Sequence, residues 1–347
     1  MNSIEGSLQD EIRDLMEELR KADQLYLPSP FWEEMANRHV LEIEKYGFEN
    51  FKRTVNLKYF NWGLWGYIAQ HSVPLLYHSS TSGDISPINA ELVVSHRDQF
   101  SHSKLYNKIY AVFSAMLLQK VKKIDTDGLL DRIVEPPLGN PLLIKLGTQI
   151  FSQDLCNSVH EYYRSTSGFS DGGVPSKLPV LEIGAGYGRL AYIFLSANPG
   201  TRYWIVDIPP AINLSQRYLK EIFPELRIFN FRLFKHFSEV KALVEESDIA
   251  FFSANQISLL PSQSIDLSIC ISNLHEMTLD QIQHYLNEID RLTKGYFYTK
   301  QWMKSITKSN GFTICRDEYP FKDTWSTIFN KRHDIQSWFF EALFKCA

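Results

Sequence analysis

The chain has 347 residues, more than one typical domain, so an α/β domain with an accessory region is the expectation. Hydrophobic residues make up 44% and charged residues 22%, ordinary for a globular protein; a net charge of −4 with scattered Lys and Arg speaks against a nucleic-acid partner, which a basic stripe would mark. No apolar run approaches bilayer length, the start MNSIEGSLQDEIRDLMEELR is unlike a targeting leader, and Cys156, Cys270, Cys315 and Cys346 have no metal-binding spacing; the expectation is a cytoplasmic protein with reduced thiols and no membrane partner.

In chain order, Leu8, Ile12, Leu15, Met16 and Leu19 recur at helical spacing from Ser7 to about Leu19. Further helical stretches follow, including Lys104 to Val121, with few convincing strands. Pro136-Pro137-Leu138-Gly139-Asn140-Pro141 is a rigid, turn-rich run that reads as a joint. A helix over Ser152 to Tyr163 leads into a loop and then a regular alternation. Strands are expected near 179–184, 202–207, 248–253, 265–271 and 295–300, and helices near 187–197, 211–222, 256–260 and 279–292. For the last helix, Thr278 and Gln281 form a capping-box pair and Gly295 is the expected stop. An extra helix is expected within 226–246, and FTICR with STIF suggests a final hairpin. The pattern reads as residues 1–150, a mainly helical cap that binds the acceptor, and 151–347, a Rossmann-like domain with a mostly parallel, doubly wound sheet.

The most informative run is Val180-Leu181-Glu182-Ile183-Gly184-Ala185-Gly186-Tyr187-Gly188-Arg189, followed by Ile205-Val206-Asp207. An apolar strand ends in a glycine-rich turn, and a second apolar strand ends in an acid, as in nucleotide-binding α/β units. The third glycine comes one place too early for a dinucleotide fingerprint, and position 189 is Arg. Glu182 is also a poor neighbour for a pyrophosphate, because like charges repel. Both features suit S-adenosylmethionine (SAM), which carries a sulfonium and an ammonium but no phosphate. A SAM-dependent methyltransferase is the expectation.

Ligands of a doubly wound sheet bind beyond the carboxyl ends of its strands. After the first strand, Gly184, Ala185, Gly186 and Gly188 would let the cofactor approach the backbone, beside Glu182. After the second, Asp207 would accept both ribose hydroxyls, next to Ile208. After the third, Asn255 and Gln256 could reach adenine, although a helix cap explains them nearly as well. After the fourth come Ser272, Asn273, His275 and Glu276. Methyl transfer to an alcohol needs a proton acceptor, and an imidazole with an ordinary pKa near ~6.5 suits that task. His275 is therefore the candidate general base, with Glu276 to orient it; packing under the next helix is the bland alternative. No paired acids follow the fourth strand, so no metal is expected.

VLEIGAGYGRLA, VDIPPAI and SICISNLHEM resemble class I SAM-dependent methyltransferases. With Tyr59-Phe60-Asn61-Trp62, PLGNP, IFSQDLCNSVHEYY, VDIPPAINLSQRYL and YFYTKQW, the chain from about residue 30 onward resembles a bacterial group of sugar O-methyltransferases. LHEM is also similar to the LHDW segment of plant-type small-molecule O-methyltransferases, in which the His is the base; Met277 departs from the Trp there. The resemblance implies cofactor contacts from Gln153, Asp154 and Asn157, and an acceptor pocket lined by Tyr59, Asn61 and Trp62. It implies O-methylation of a sugar or glycosylated metabolite. A non-sugar natural product, an amine acceptor, or a SAM-binding partner protein without catalysis are the alternatives, and homo-oligomerisation is left open.

Overall fold

The computed structural model describes residues 8–54, 74–93, 103–169, 173–307 and 312–346. Tyr59, Asn61 and Trp62 lie outside them. The chain divides into two compact units: Met1–Val40 with Arg164–Arg332 and Phe339–Ala347, and Leu41–Tyr163 with His333–Trp338. These units do not follow a single cut near residue 150. Helix α1 (Leu8–Leu19) buries Ile12, Leu15 and Leu19 in the first unit, and helix α2 spans Pro30–Tyr46. Between them, the carbonyls of Leu25 and Leu27 accept from Gln281 Nε2, at 3.3 and 2.8 Å.

The second unit contains helix α3 (Lys104–Lys122), capped by Ser103 Oγ accepting from the Tyr106 N–H, as its spacing predicts. It also holds an antiparallel sheet of β1 (Glu91–Val93), β2 (Leu143–Leu146) and β3 (Gln149–Phe151), in that order. Strands of three or four residues are too short to show a period, so they escape a pattern reading. Helix α4 (Gln153–Thr166) begins at a buried polar cluster. Ser152 Oγ accepts from the Leu155 N–H at 2.9 Å and donates to Glu135 Oε2 at 2.6 Å. The other oxygen of Glu135 pairs with Lys52 Nζ at 2.6 Å, both side chains being buried. The Pro136–Pro141 run is not a joint: it lies inside this unit, where the Gly139 carbonyl accepts from the Lys52 N–H at 2.9 Å.

The first unit is built on an eight-stranded sheet. Its strands are β4 (Pro179–Ile183), β5 (Arg202–Asp207), β6 (Ile228–Phe229), β7 (Ile249–Ser253), β8 (Ile265–Ile271), β9 (Thr293–Trp302), β12 (Ser326–Arg332) and β13 (Phe339–Lys345). The order is β12-β13-β9-β8-β4-β5-β7-β6, parallel from β9 through β6, with β13 antiparallel to both its neighbours. Helices α5 (Arg189–Ala197), α6 (Ala211–Ile222) and α7 (Leu279–Leu292) connect the central strands. One sheet face places Leu181, Ile183, Trp204, Val206 and Phe252 in a core with Ile282, Leu286 and Ile289 of α7. On the other, Tyr203 meets Phe194 of α5, ring centres 5.6 Å apart. Covered on both faces, the strands read as continuous apolar runs, which is why the sequence pattern locates them so closely. The fold is the expected α/β, Rossmann-like one. No described helix is long and apolar enough to cross a membrane.

Three local expectations change. Gly295 does not stop α7: Thr293 is its last cap and the chain passes directly into β9. The glycine is there for space, because a Cβ would stand 2.1 Å from the Asp266 carbonyl oxygen across the sheet. FTICR and STIF are not partners. Phe312–Cys315 (β11) pairs with Lys304–Thr307 (β10), and the STIF segment joins the main sheet through β13. The 226–246 connection holds the short helix Lys241–Glu246, and also β6, which was not expected.

Candidate functional site

The carboxyl ends of β4, β5 and β8 converge on the glycine turn. The Gly184 N–H continues the β4–β5 ladder to the Val206 carbonyl at 2.9 Å, and the residue adopts φ +74°. A Cβ at Gly184 would lie 2.4 Å from Asn273 Nδ2, so this position serves a close approach as well as a turn. The backbone then passes through left-handed Gly186 and Gly188, and Gly188 caps α5.

Asp207, the last residue of β5, turns its carboxylate back onto that turn. Oδ2 accepts from the Gly186 N–H at 3.0 Å and Oδ1 from the Ile208 N–H at 2.8 Å. Burial pushes its carboxyl up to about 7, against the opposing pull of the Ile208, Gly186 and Ala185 backbone donors. Glu182 lies one step before the turn, within β4. It is buried and accepts the Tyr203 hydroxyl on Oε2 at 2.8 Å, a contact that ties β4 to β5.

After β7 the contacts of Gln256 follow the helix-cap reading. Both ends of the Gln256 amide serve the chain itself: Oε1 accepts from the Ser253 N–H at 3.0 Å and Nε2 donates to the Arg232 carbonyl at 2.8 Å. Gln256 is the third residue of the turn Ala254–Leu259 and completes its capping box with Ser253, the helix-cap role the sequence also allowed. Its neighbour Asn255 accepts the Ser253 hydroxyl on Oδ1 at 2.7 Å.

The β8 end is the most heavily organised. Ser272 takes φ +57°, a left-handed conformation uncommon for a residue with a Cβ, and its N–H donates to the Lys300 carbonyl at 2.8 Å. Asn273 Nδ2 donates to the Ile183 carbonyl at 2.5 Å, fastening the β8 loop to the start of the glycine turn. His275 follows in a single turn of helix, Leu274–Glu276. Its ring is only 2% exposed, stacked on Trp302 with centres 5.0 Å apart and edge-on to Phe339 at 6.3 Å. Nδ1 lies 2.9 Å from Gln301 Oε1, and Nε2 lies 3.5 Å from Glu276 Oε1. The expected proximity of Glu276 is therefore present, but the group bonded to the ring is Gln301. Sequence reasoning passed over Gln301, although it stands at the end of β9, where the strand-end rule directs attention.

Gln153 and Asn157 lie in the second unit. Both are buried, and Gln153 Oε1 accepts the Tyr110 hydroxyl at 3.0 Å.

No family model matches the chain, and no curated protein matches it. Among solved structures it is similar to the PH0226 protein of Pyrococcus horikoshii OT3, at 12% identity and a TM-score of 0.35, over 54% of this chain and 90% of that one. It is similar to a SAM dependent methyltransferase from Aquifex aeolicus at 13% identity and a TM-score of 0.34, over 52% of this chain and 88% of that one. It is similar, too, to magnesium protoporphyrin IX methyltransferase from Synechocystis PCC 6803, with bound SAM, at 12% identity and a TM-score of 0.38, over 56% and 83% of the two chains. Likeness at this level carries no argument about activity. The functional reading rests on the residues.

Proposed function

We propose that this chain is a SAM-dependent methyltransferase acting on a hydroxyl of a small molecule, with a sugar or glycosylated metabolite as the acceptor class. One observation carries the cofactor: the acid of β5 is clasped by the amides of the glycine turn. In a pyrophosphate site those N–H groups face the ligand. Here the Gly186 amide is given to Asp207, and a phosphate would meet a carboxylate instead of donors. One like-charge contact at ~4 Å costs about 4 kcal/mol at an effective dielectric of ~20. The same carboxylate suits a ligand with vicinal hydroxyls and a positive centre. The backbone donors of Ile208, Gly186 and Ala185 take three of the carboxylate's roughly four acceptor sites, which leaves room for a ribose hydroxyl. Gly184, Ala185, Gly186, Gly188 and Ile208 would lie along the cofactor, with Ser272 and Asn273 on the β8 side.

When bound, SAM supplies an electrophilic methyl group on a positively charged sulfur. The acceptor oxygen forms the new bond to that carbon, the carbon–sulfur electron pair leaves on sulfur, and the hydroxyl proton needs a destination. We assign it to His275 Nε2, where Glu276 Oε1, 3.5 Å away, would stabilise the imidazolium. Because the ring and its Nε2 atom are buried, this step requires the residues around Nε2 to move so that the acceptor can reach it. His275→Ala is expected to lower kcat by roughly 10²–10⁴-fold, the usual worth of a positioned base, with SAM affinity retained. Calorimetric titration of SAM, followed by a panel of sugars and metabolites scored for adenosylhomocysteine release, tests the whole reading. Absence of SAM binding overturns it. Tight binding with no turnover on any acceptor returns it to a non-catalytic partner, and turnover undiminished in His275→Ala removes the base.

The pH response follows from Asp207. Its carboxyl is raised to about 7 by burial, so the folded protein favours the neutral form. In the SAM-free protein this contribution is fully favourable below the ordinary aspartate range and is lost as pH rises through about 7. SAM binding runs the other way, because the ionised form is the better acceptor for hydroxyls and the better neighbour for a sulfonium. Affinity is expected to rise from pH 6 to 8, with proton release on binding near the middle of that range. Isothermal titrations in buffers of different ionisation enthalpy would detect it, and a flat profile would count against the ribose assignment.

A further inference from the structure

We infer that Gln301 is a positioning residue that holds His275 in the tautomer with hydrogen on Nδ1, and so keeps the Nε2 lone pair in place for the chemistry proposed above, on which this inference builds. Gln301, the penultimate residue of β9, stands beside the β8 loop and is fully buried. Its Nε2 donates to the Cys270 carbonyl at 2.9 Å and lies 3.1 Å from Thr299 Oγ1 and 3.3 Å from Asn273 Oδ1. Its Oε1 accepts the Asn273 N–H at 3.2 Å and faces His275 Nδ1 at 2.9 Å.

These contacts fix which end of the amide is which. Turned over, the amide would set its NH2 against the Asn273 N–H and its oxygen against the Cys270 carbonyl. Two backbone groups that cannot change character therefore impose the orientation. With an oxygen at 2.9 Å, Nδ1 must supply the hydrogen; a lone pair there would face a lone pair. The Trp302 N–H also lies near Nδ1, but at 3.5 Å it is too long to reverse that choice. The Glu276 oxygen stands 3.5 Å from Nε2, too long for a good hydrogen bond, so the closer oxygen of Gln301 sets the ring's hydrogen and Nε2 is left as the acceptor.

The same amide reaches the cofactor turn. Gln301 holds the Asn273 N–H and lies beside its Oδ1, and Asn273 Nδ2 in turn grips the Ile183 carbonyl just before Gly184. Cys270 Sγ donates to the same Asn273 Oδ1 at 2.9 Å. One side chain therefore sets both the ring and the loop that abuts the glycines.

The test is spectroscopic. Protein labelled with nitrogen-15 in histidine is examined by long-range proton–nitrogen spectra above the imidazole titration range, the His275 signals being those lost in His275→Gln. The expected wild-type pattern is a protonated Nδ1 and a bare Nε2. Gln301→Met, which fills the space without donor or acceptor, should lose the single-tautomer signature. Gln301→Glu, which retains an acceptor oxygen, should keep Nδ1 protonated. A wild-type ring with hydrogen on Nε2, or an unchanged signature in Gln301→Met, overturns the inference. Should Gln301→Met fail to fold, the wild-type spectrum and Gln301→Glu decide the matter. The spectra need no SAM, so the expected tautomer in a protein that neither binds SAM nor turns over would sink the proposed function alone.

Discussion

Asp207→Ala is expected to weaken SAM binding by roughly 100-fold, or about 3 kcal/mol, the worth of two hydrogen bonds to a charged acceptor. The effect is large because Asp207 has two jobs. In the proposed reading it accepts the ribose hydroxyls, and in the structure it holds the Gly186 and Ile208 amides. Alanine removes both, so the turn loses the group that sets its shape as well as the ligand's partner. Asp207→Asn is a sharper variant. It preserves volume but brings an amide NH2 toward backbone N–H groups, so it should also bind SAM poorly, and for an electrostatic reason alone. Calorimetry on both variants, with folding checked by thermal melting, measures the loss. Unchanged affinity would mean that the ribose does not lie at this carboxylate.

The largest expected effect on stability is in the second unit. Glu135→Ala should cost about 3–5 kcal/mol, because it leaves a buried ammonium without its counter-charge. Lys52 and Glu135 are paired at 2.6 Å with side chains 1% and 5% exposed, and water cannot take over the missing role without opening the structure. Glu135 also receives the hydroxyl of Ser152, the residue that caps α4, so the first turn of that helix is loosened too. The double variant Lys52→Met with Glu135→Leu should recover most of the loss, since replacing both members of a buried pair by apolar groups is often neutral. Chemical denaturation of the single and double variants gives the comparison. A loss under about 1 kcal/mol for Glu135→Ala would show that the pair behaves as an exposed one does.

The fold was legible where local chemistry decides it. The cap pair Thr278 and Gln281 and the apolar spacing of Ile282, Leu286 and Ile289 lie within a few positions of one another, and α7 starts and ends where they place it. The strands β4, β5 and β8 are apolar runs because the sheet is covered on both faces, and the acid and the glycines that follow them need no long-range knowledge to be noticed. Gly295 shows the limit of that method. It looked like a helix stop because glycines commonly are, yet its role is to admit the Asp266 carbonyl, a neighbour 29 positions away. Gln256 allowed two readings in the sequence, and only the tertiary structure shows its amide taken up by Ser253 and by Arg232 across a loop.

Periodicity, caps and turn chemistry thus settled the kind of sheet and the places of the glycine turn, Asp207 and His275 at its strand ends, because those are properties of neighbours in the chain. Pairing between distant segments settled the rest. That STIF joins Phe339–Lys345 rather than FTICR, that residues 8–40 cluster with the large sheet, and that His275 is bonded by Gln301 all depend on which residues the fold brings side by side. A hydrogen bond spanning 26 positions leaves no period to detect. Its partner becomes visible only when β8 and β9 are packed in register.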